Sequence, residues 1–179
     1  LYSHPVDARV HDYLRRSGLS DTEYHWFMNH GLSQRIIMGN DFYERNEQIV
    51  KPGGSIDPAG DIYGWYIITR QYYERYRRPV MHTETNNIGH GADTAPRWLW
   101  KQFLNVRLMH DEQIPVLGFT WYSLTDQMDW DVGLRDERGL VNPVGLFDMT
   151  RRPRRVSHAY QEIIQEFKET LSINLDGVR

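Results

Sequence analysis

Three short stretches of this 179-residue chain combine carboxylates, hydroxyls and flat aromatic rings where an apolar run turns polar. They are Asn40-Asp41-Phe42-Tyr43, His82-Thr83-Glu84-Thr85-Asn86 and Trp121-Tyr122-Ser123. Carboxylates can move protons or attack electrophilic carbon. Tyr and Trp rings offer apolar faces with a polar edge, suited to stacking on sugars or bases. Glu84 is the carboxylate at the sharpest change of polarity. Taken alone it could equally be a helix-capping or salt-bridging group, and the rings could belong to a large aromatic core.

These stretches need elements that bring them together. Pro5-Val6-Asp7 opens an amphipathic segment to about Arg16, with Val6, Val10, Tyr13 and Leu14 on one face and Gly18 at its end. Ser20-Asp21-Thr22-Glu23 has the capping-box pattern, and Tyr24, Phe27 and Met28 form a stripe expected to be buried before Gly31. Residues 36–38 read as a short strand, and 51–60 as a loop by their Pro and Gly content. Apolar residues recur at helical spacing over 62–77, with Tyr72, Tyr73 and Tyr76 expected on a buried face. A strand over 79–83 ends at Glu84. Asp93 or Thr94 caps a helix with Pro96 in its first turn, carrying Trp98, Leu99, Phe103, Val106 and Met109. Residues 114–124 form a third strand, 126–147 a long loop rich in Asp and Gly, and 157–171 a closing helix.

Near-continuous apolar strands alternating with helices predict an α/β fold: a parallel sheet with helices packed outside. In such sheets chemistry sits at the C-terminal ends of the strands. All three polar stretches then share one rim. A closed barrel needs eight strands and usually roughly 200 residues or more, so the single segment 1–179 is expected to be part of a barrel.

At these residues the sequence resembles glycoside hydrolase family 1, the β-glucosidase-like (β/α)8 enzymes. Gly39-Asn40-Asp41-Phe42-Tyr43 is similar to the family's Gly-Leu-Asn-Tyr-Tyr block after strand six. His82-Thr83-Glu84-Thr85-Asn86 is similar to Ile-Thr-Glu-Asn-Gly at strand seven. Tyr122-Ser123-Leu124-Thr125-Asp126-Gln127-Met128-Asp129-Trp130 resembles Trp-Ser-Leu-Leu-Asp-Asn-Phe-Glu-Trp at strand eight. Downstream, Arg151-Arg152-Pro153 and Ser157-His158-Ala159-Tyr160 resemble the family's Arg-x-Pro entry to the last helix. The resemblance implies the C-terminal three to four βα units of a (β/α)8 (TIM) barrel. It also implies a retaining β-glycosidase with Glu84 as nucleophile and Tyr43 as the Tyr that touches it. Asp41, Asp129 and His82 would contact the sugar, and Trp121, Tyr122 and Trp130 would line it. The chain departs from the family with Asp41 for Asn, Asp129 for Glu, a first Trp at 121, and Asn86 for Gly, which puts the sugar specificity in question.

A retaining glycosidase needs two carboxyl groups about 5–5.5 Å apart, one attacking the anomeric carbon and one protonating the leaving oxygen. The family's proton donor precedes every segment present here. Asn46-Glu47 imitates its Asn-Glu pair, but in the wrong place; a loop carboxylate on a solvated surface is the simpler reading of Glu47. The chain is therefore expected to lack turnover by itself and to need the remainder of the barrel, from a longer chain, a second polypeptide or self-association. No cofactor is implied. The competing reading is a non-catalytic carbohydrate-binding or structural module derived from such a barrel.

Composition excludes other classes. With 21 basic and 24 acidic residues and a net charge of −3, nothing suggests a nucleic-acid partner or an anionic membrane surface. There is no run of about 18 apolar residues, so a soluble protein is expected, with the cytoplasm favoured. The lack of cysteine removes disulfides and thiolate metal sites while leaving the redox compartment open. His82 and His90 flank the Glu84 stretch without a third metal ligand at usable spacing. Asp126, Asp129, Asp131, Asp136 and Glu137 lack the alternation of a calcium loop. The run from Arg151 to Arg155 reads as a basic turn before a helix.

Overall fold

A computed structural model describes residues 8–31, 35–60, 62–87 and 93–170. Its centre is a three-stranded parallel sheet in which β4 (Val80–Thr85) lies between β1 (Met38–Asn40) and β5 (Val116–Trp121). Met38 pairs with Val80 and Asn40 with His82, while Val80 pairs with Val116 and Thr85 with Trp121. Helix α3 (Gly64–Tyr76) connects β1 to β4, and α4 (Ala95–Asp111) connects β4 to β5. Such crossovers are what parallel neighbours require. The closing helix α5 (Arg155–Thr170) packs on α4.

The sheet has two chemically different faces. Val80, His82 and Val116 are buried beneath the helices together with Trp65, Leu99, Phe103, Val106 and Met109. On the opposite face Thr83 is exposed beside Gly39, where a Cβ would overlap the Thr83 side chain. Gly118 likewise sits against Met81, with space for a Cβ only 3.1 Å from the thioether methyl. Small residues on this face let neighbouring side chains cross it, as the inside of a barrel demands.

Among the described residues, β1 and β5 each have one unpaired edge. Beside β5 an apolar cavity of about 160 Å³ opens between Phe119, Tyr160, Ile163, Ile164 and Phe167. Helices α1 (Ala8–Arg16) and α2 (Asp21–Asn29) also carry uncovered apolar groups. Tyr13 is 62% and Trp26 55% exposed.

The expected helices and strands form with local corrections. The capping box is present: Ser20 Oγ accepts from the Glu23 amide at 3.2 Å and Glu23 Oε2 from the Ser20 amide at 2.9 Å. The stripe it leads into is not buried, since Phe27 is exposed and Tyr24 and Met28 are only half-buried. Tyr72 is exposed as well, leaving Trp65 and Thr69 as the buried face of α3. The segment 51–60 is not all loop, because β2 (Gln48–Val50) pairs with β3 (Ile56–Pro58) in an antiparallel hairpin. Likewise 126–147 contains the hairpin of β6 (Gln127–Met128) and β7 (Val141–Asn142). Strand β4 runs on to Thr85, so Glu84 is its penultimate residue instead of the residue that ends it. Val6 and His90 lie outside the described residues.

Candidate active site

Glu84 occupies the C-terminal rim of the sheet, half-buried, between the ends of β1 and β5. Its carbonyl accepts from the Phe42 amide at 3.0 Å, which carries the β1–β4 pairing past the end of β1. The next residue, Tyr43, reaches back so that its hydroxyl donates to Glu84 Oε1. Burial pushes the Tyr43 phenol above its ordinary range, and the Glu84 carboxylate pushes it further. The raised pKa keeps the phenol protonated, and so a donor, at neutral pH. Asp41 directly follows β1 and Tyr122 directly follows β5, so both leave the sheet at the end where Glu84 stands.

A register irregularity between His82 and Thr85 breaks the strand's alternation just where Glu84 needs to face the rim. Thr85 then turns inward, donating to the Phe42 carbonyl at 2.7 Å and accepting from the Trp98 indole at 2.9 Å. Across β5, the Tyr122 amide donates to the Thr85 carbonyl at 2.9 Å. The Tyr122–Ser123 peptide is cis. The Tyr122 ring lies 6.1 Å from that of Trp130, tilted by 48°, and its hydroxyl accepts from Gln127 Nε2. Half of Trp130 remains open. Glu84, Tyr43, Asp41, Tyr122 and Trp130 thus form one carboxylate-and-aromatic rim.

Three residues expected to contact a sugar are placed elsewhere. His82 is fully buried on the helix side, stacked on Trp65 at 4.7 Å and tilted against Phe119 at 4.8 Å, with Nε2 3.4 Å from Gln102 Oε1. Trp121 is buried, its indole donating to the Val144 carbonyl at 3.3 Å. Its register partner Thr85 is buried too, so Tyr122 rather than Trp121 reaches the rim. Asp129 is buried in a left-handed turn, and its carboxylate accepts the amides of Leu140 (2.8 Å), Gly139 (3.0 Å) and Arg138 (3.0 Å). These bonds, that from Leu140 foremost, hold its carboxyl below the usual range and commit it to organising the β6–β7 hairpin.

Glu47 is likewise committed. It accepts the Ile62, Tyr63 and Gly64 amides at 3.0, 2.8 and 2.8 Å and so caps the start of α3, where free amides and the helix dipole favour a carboxylate. The basic run is a structural turn: Arg154 pairs with the buried Asp126, and Asp148 accepts the Thr150 and Arg152 amides. Among the described residues no group of three or more His, Asp or Glu side chains could hold a metal ion. No helix among them is long and apolar enough to cross a membrane.

His82 has a measurable consequence. Burial lowers its pKa from 6.5 to about 3, so as pH falls the unfolded chain takes up this proton before the folded one does. Stability contributed by neutral His82 is complete above about pH 6.5 and is lost progressively toward about pH 3. In His82→Phe, which keeps an aromatic ring between Trp65 and Phe119, the urea midpoint should fall less steeply over that window. Parallel pH profiles for the two proteins would contradict this.

The described residues fold as part of a (β/α)8 barrel, and the carboxylate-and-aromatic rim lies at the C-terminal ends of its strands. Solved structures with this fold include the β-glycosidase BGL167, 18% identical, with 73% of this chain and 33% of that chain covered and a TM-score of 0.57. The β-glucosidase of Thermotoga maritima in complex with castanospermine is 14% identical, with 92% and 42% covered and a TM-score of 0.62. In sequence, the chain is 27% identical over 111 residues to the galactolipid galactosyltransferase SFR2, chloroplastic, of Arabidopsis thaliana. That match covers 60% of this chain and 18% of the relative. The chain therefore spans a minor part of the proteins it is similar to. No family model matches it.

Proposed function

We propose that this chain supplies the C-terminal strands of a retaining β-glycosidase, with Glu84 as its nucleophile. The observation that carries this reading is the Tyr43 hydroxyl donating to Glu84 Oε1 on the C-terminal rim of a parallel sheet. That bond fixes one carboxylate oxygen and leaves Oε2 to attack the anomeric carbon of a β-linked sugar. Attack forms a glycosyl ester on Glu84 and breaks the bond to the leaving oxygen, which takes a proton from a general acid. Water then cleaves the ester, giving its proton to the conjugate base of that acid. Tyr122 and Trp130 would stack on the sugar ring, and Asp41 would accept its hydroxyls.

The general acid belongs to the strands that complete the barrel, because Glu47 is taken up in capping α3. The uncovered edges of β1 and β5 and the apolar cavity along α5 support a partner of that kind, whether on a longer chain, a second polypeptide or another copy. A second reading, favoured by the likeness to a galactosyltransferase, is transfer to a sugar hydroxyl in place of water. Both readings pass through the same glycosyl-enzyme.

Stereochemistry tests the reading. In proton NMR of a 4-nitrophenyl β-glycoside turned over by the full assembly, the first sugar released should be the β anomer. An α anomer formed first would mean single displacement and overturn it. A new glycoside formed with an added sugar acceptor would favour transfer.

A further inference from the structure

Asn86, two residues after Glu84, is 98% buried by its 2% relative exposure. Its Nδ2 donates to the Tyr122 carbonyl and, at 2.7 Å, to the Val144 carbonyl. Val144 also accepts from the Trp121 indole (3.3 Å) and the Ser123 amide (3.4 Å). One side-chain amide therefore joins three segments: the end of β4, the end of β5 and the turn before Leu146. Thr85 does the corresponding task on the other side through the Phe42 carbonyl. Glu84 is thus followed by two residues that tie it in opposite directions, to the segment after β1 that carries Tyr43 and to the segment after β5 that carries Tyr122.

The geometry points to Asn86 as a positioning residue that sets the separation between Glu84 and the Tyr122–Trp130 aromatic wall. This inference rests on the reading of Glu84 as nucleophile. An NH₂ group is required, since it must satisfy two carbonyl oxygens at once. Nearby backbone pairing, such as Tyr122 to Thr85, fixes the strands, whereas Asn86 fixes the rim above them. Loss of the amide would let the wall shift relative to the carboxylate, and a misplacement of about 1 Å can cost about 100-fold in rate.

The test is inactivation of the full assembly by a 2-deoxy-2-fluoro β-glycoside, followed by intact mass so that only folded, reactive protein is counted. For Asn86→Ala the limiting rate of labelling should fall roughly 10- to 100-fold, with a much smaller change in the concentration giving half-maximal rate. Asn86→Ser, which keeps one donor, should fall between Ala and wild type, and it provides the reading where Ala does not fold. Purely structural support would lower thermal stability and leave the limiting rate of the folded fraction at the wild-type value, which would overturn the inference. Failure of the wild-type protein to be labelled on Glu84 would instead overturn the reading on which it rests.

Discussion

Glu84→Gln should abolish turnover of an aryl β-glycoside by the full assembly, with a loss of at least ~10³-fold, while the thermal midpoint stays close to that of the wild type. The substitution keeps shape and an oxygen that can still accept from the Tyr43 hydroxyl, so the rim retains its contacts. Glu84 is only half-buried and forms no ion pair among the described residues, so no partner charge is stranded by neutralising it. What disappears is the anionic oxygen that forms the ester. Unchanged activity would assign the rim a different reaction on the same fold.

The largest effect on stability is expected from Arg154. Its Nε and Nη2 form a two-point pair with Asp126, whose side chain is only 1% exposed. Asp126 Oδ1 also accepts the Gly145 amide at 3.0 Å. The backbone approaches so closely here that a Cβ at Gly145 would overlap the backbone of Thr125, Asp126 and Phe147. Arg154→Met removes the cation and leaves a buried carboxylate facing one amide, which should cost about 3–5 kcal/mol in urea unfolding. Asp126→Asn in the same background should recover part of the loss, because a neutral amide no longer carries the desolvation penalty of an unpaired charge. Additive losses in the double variant would show that the two groups do not act as a pair.

The order of helices and strands, and the gathering of Glu84, Tyr43 and Tyr122 on one rim, were legible because strand ends and family blocks are local in sequence. The direction of individual side chains was not. His82 shares the buried face of Val80 in the helix layer, and the irregularity after it changes the parity of β4 so that Thr85 is buried too. Asp129 resembles a substrate-facing carboxylate until the amides of residues 138–140 fold back onto it. The hairpin of β2 and β3 was hidden because each strand is three residues long and Ile49, Val50 and Ile56 stay exposed, so no alternation marks it. Exposed Tyr13, Trp26 and Phe27 look in sequence like core residues, and among the described residues nothing covers them fully. Asn86 gave no signal beyond its departure from glycine, because its partners are backbone carbonyls 36 and 58 residues away.

Treating the full assembly with a 2-deoxy-2-fluoro β-glycoside and mapping the adduct by peptide mass spectrometry identifies the carboxylate that bonds to the sugar. A glycosyl ester is expected on Glu84 and none in Glu84→Gln. Retained sugar binding with Glu84 unlabelled, or an adduct on another carboxylate, would contradict Glu84 as the nucleophile.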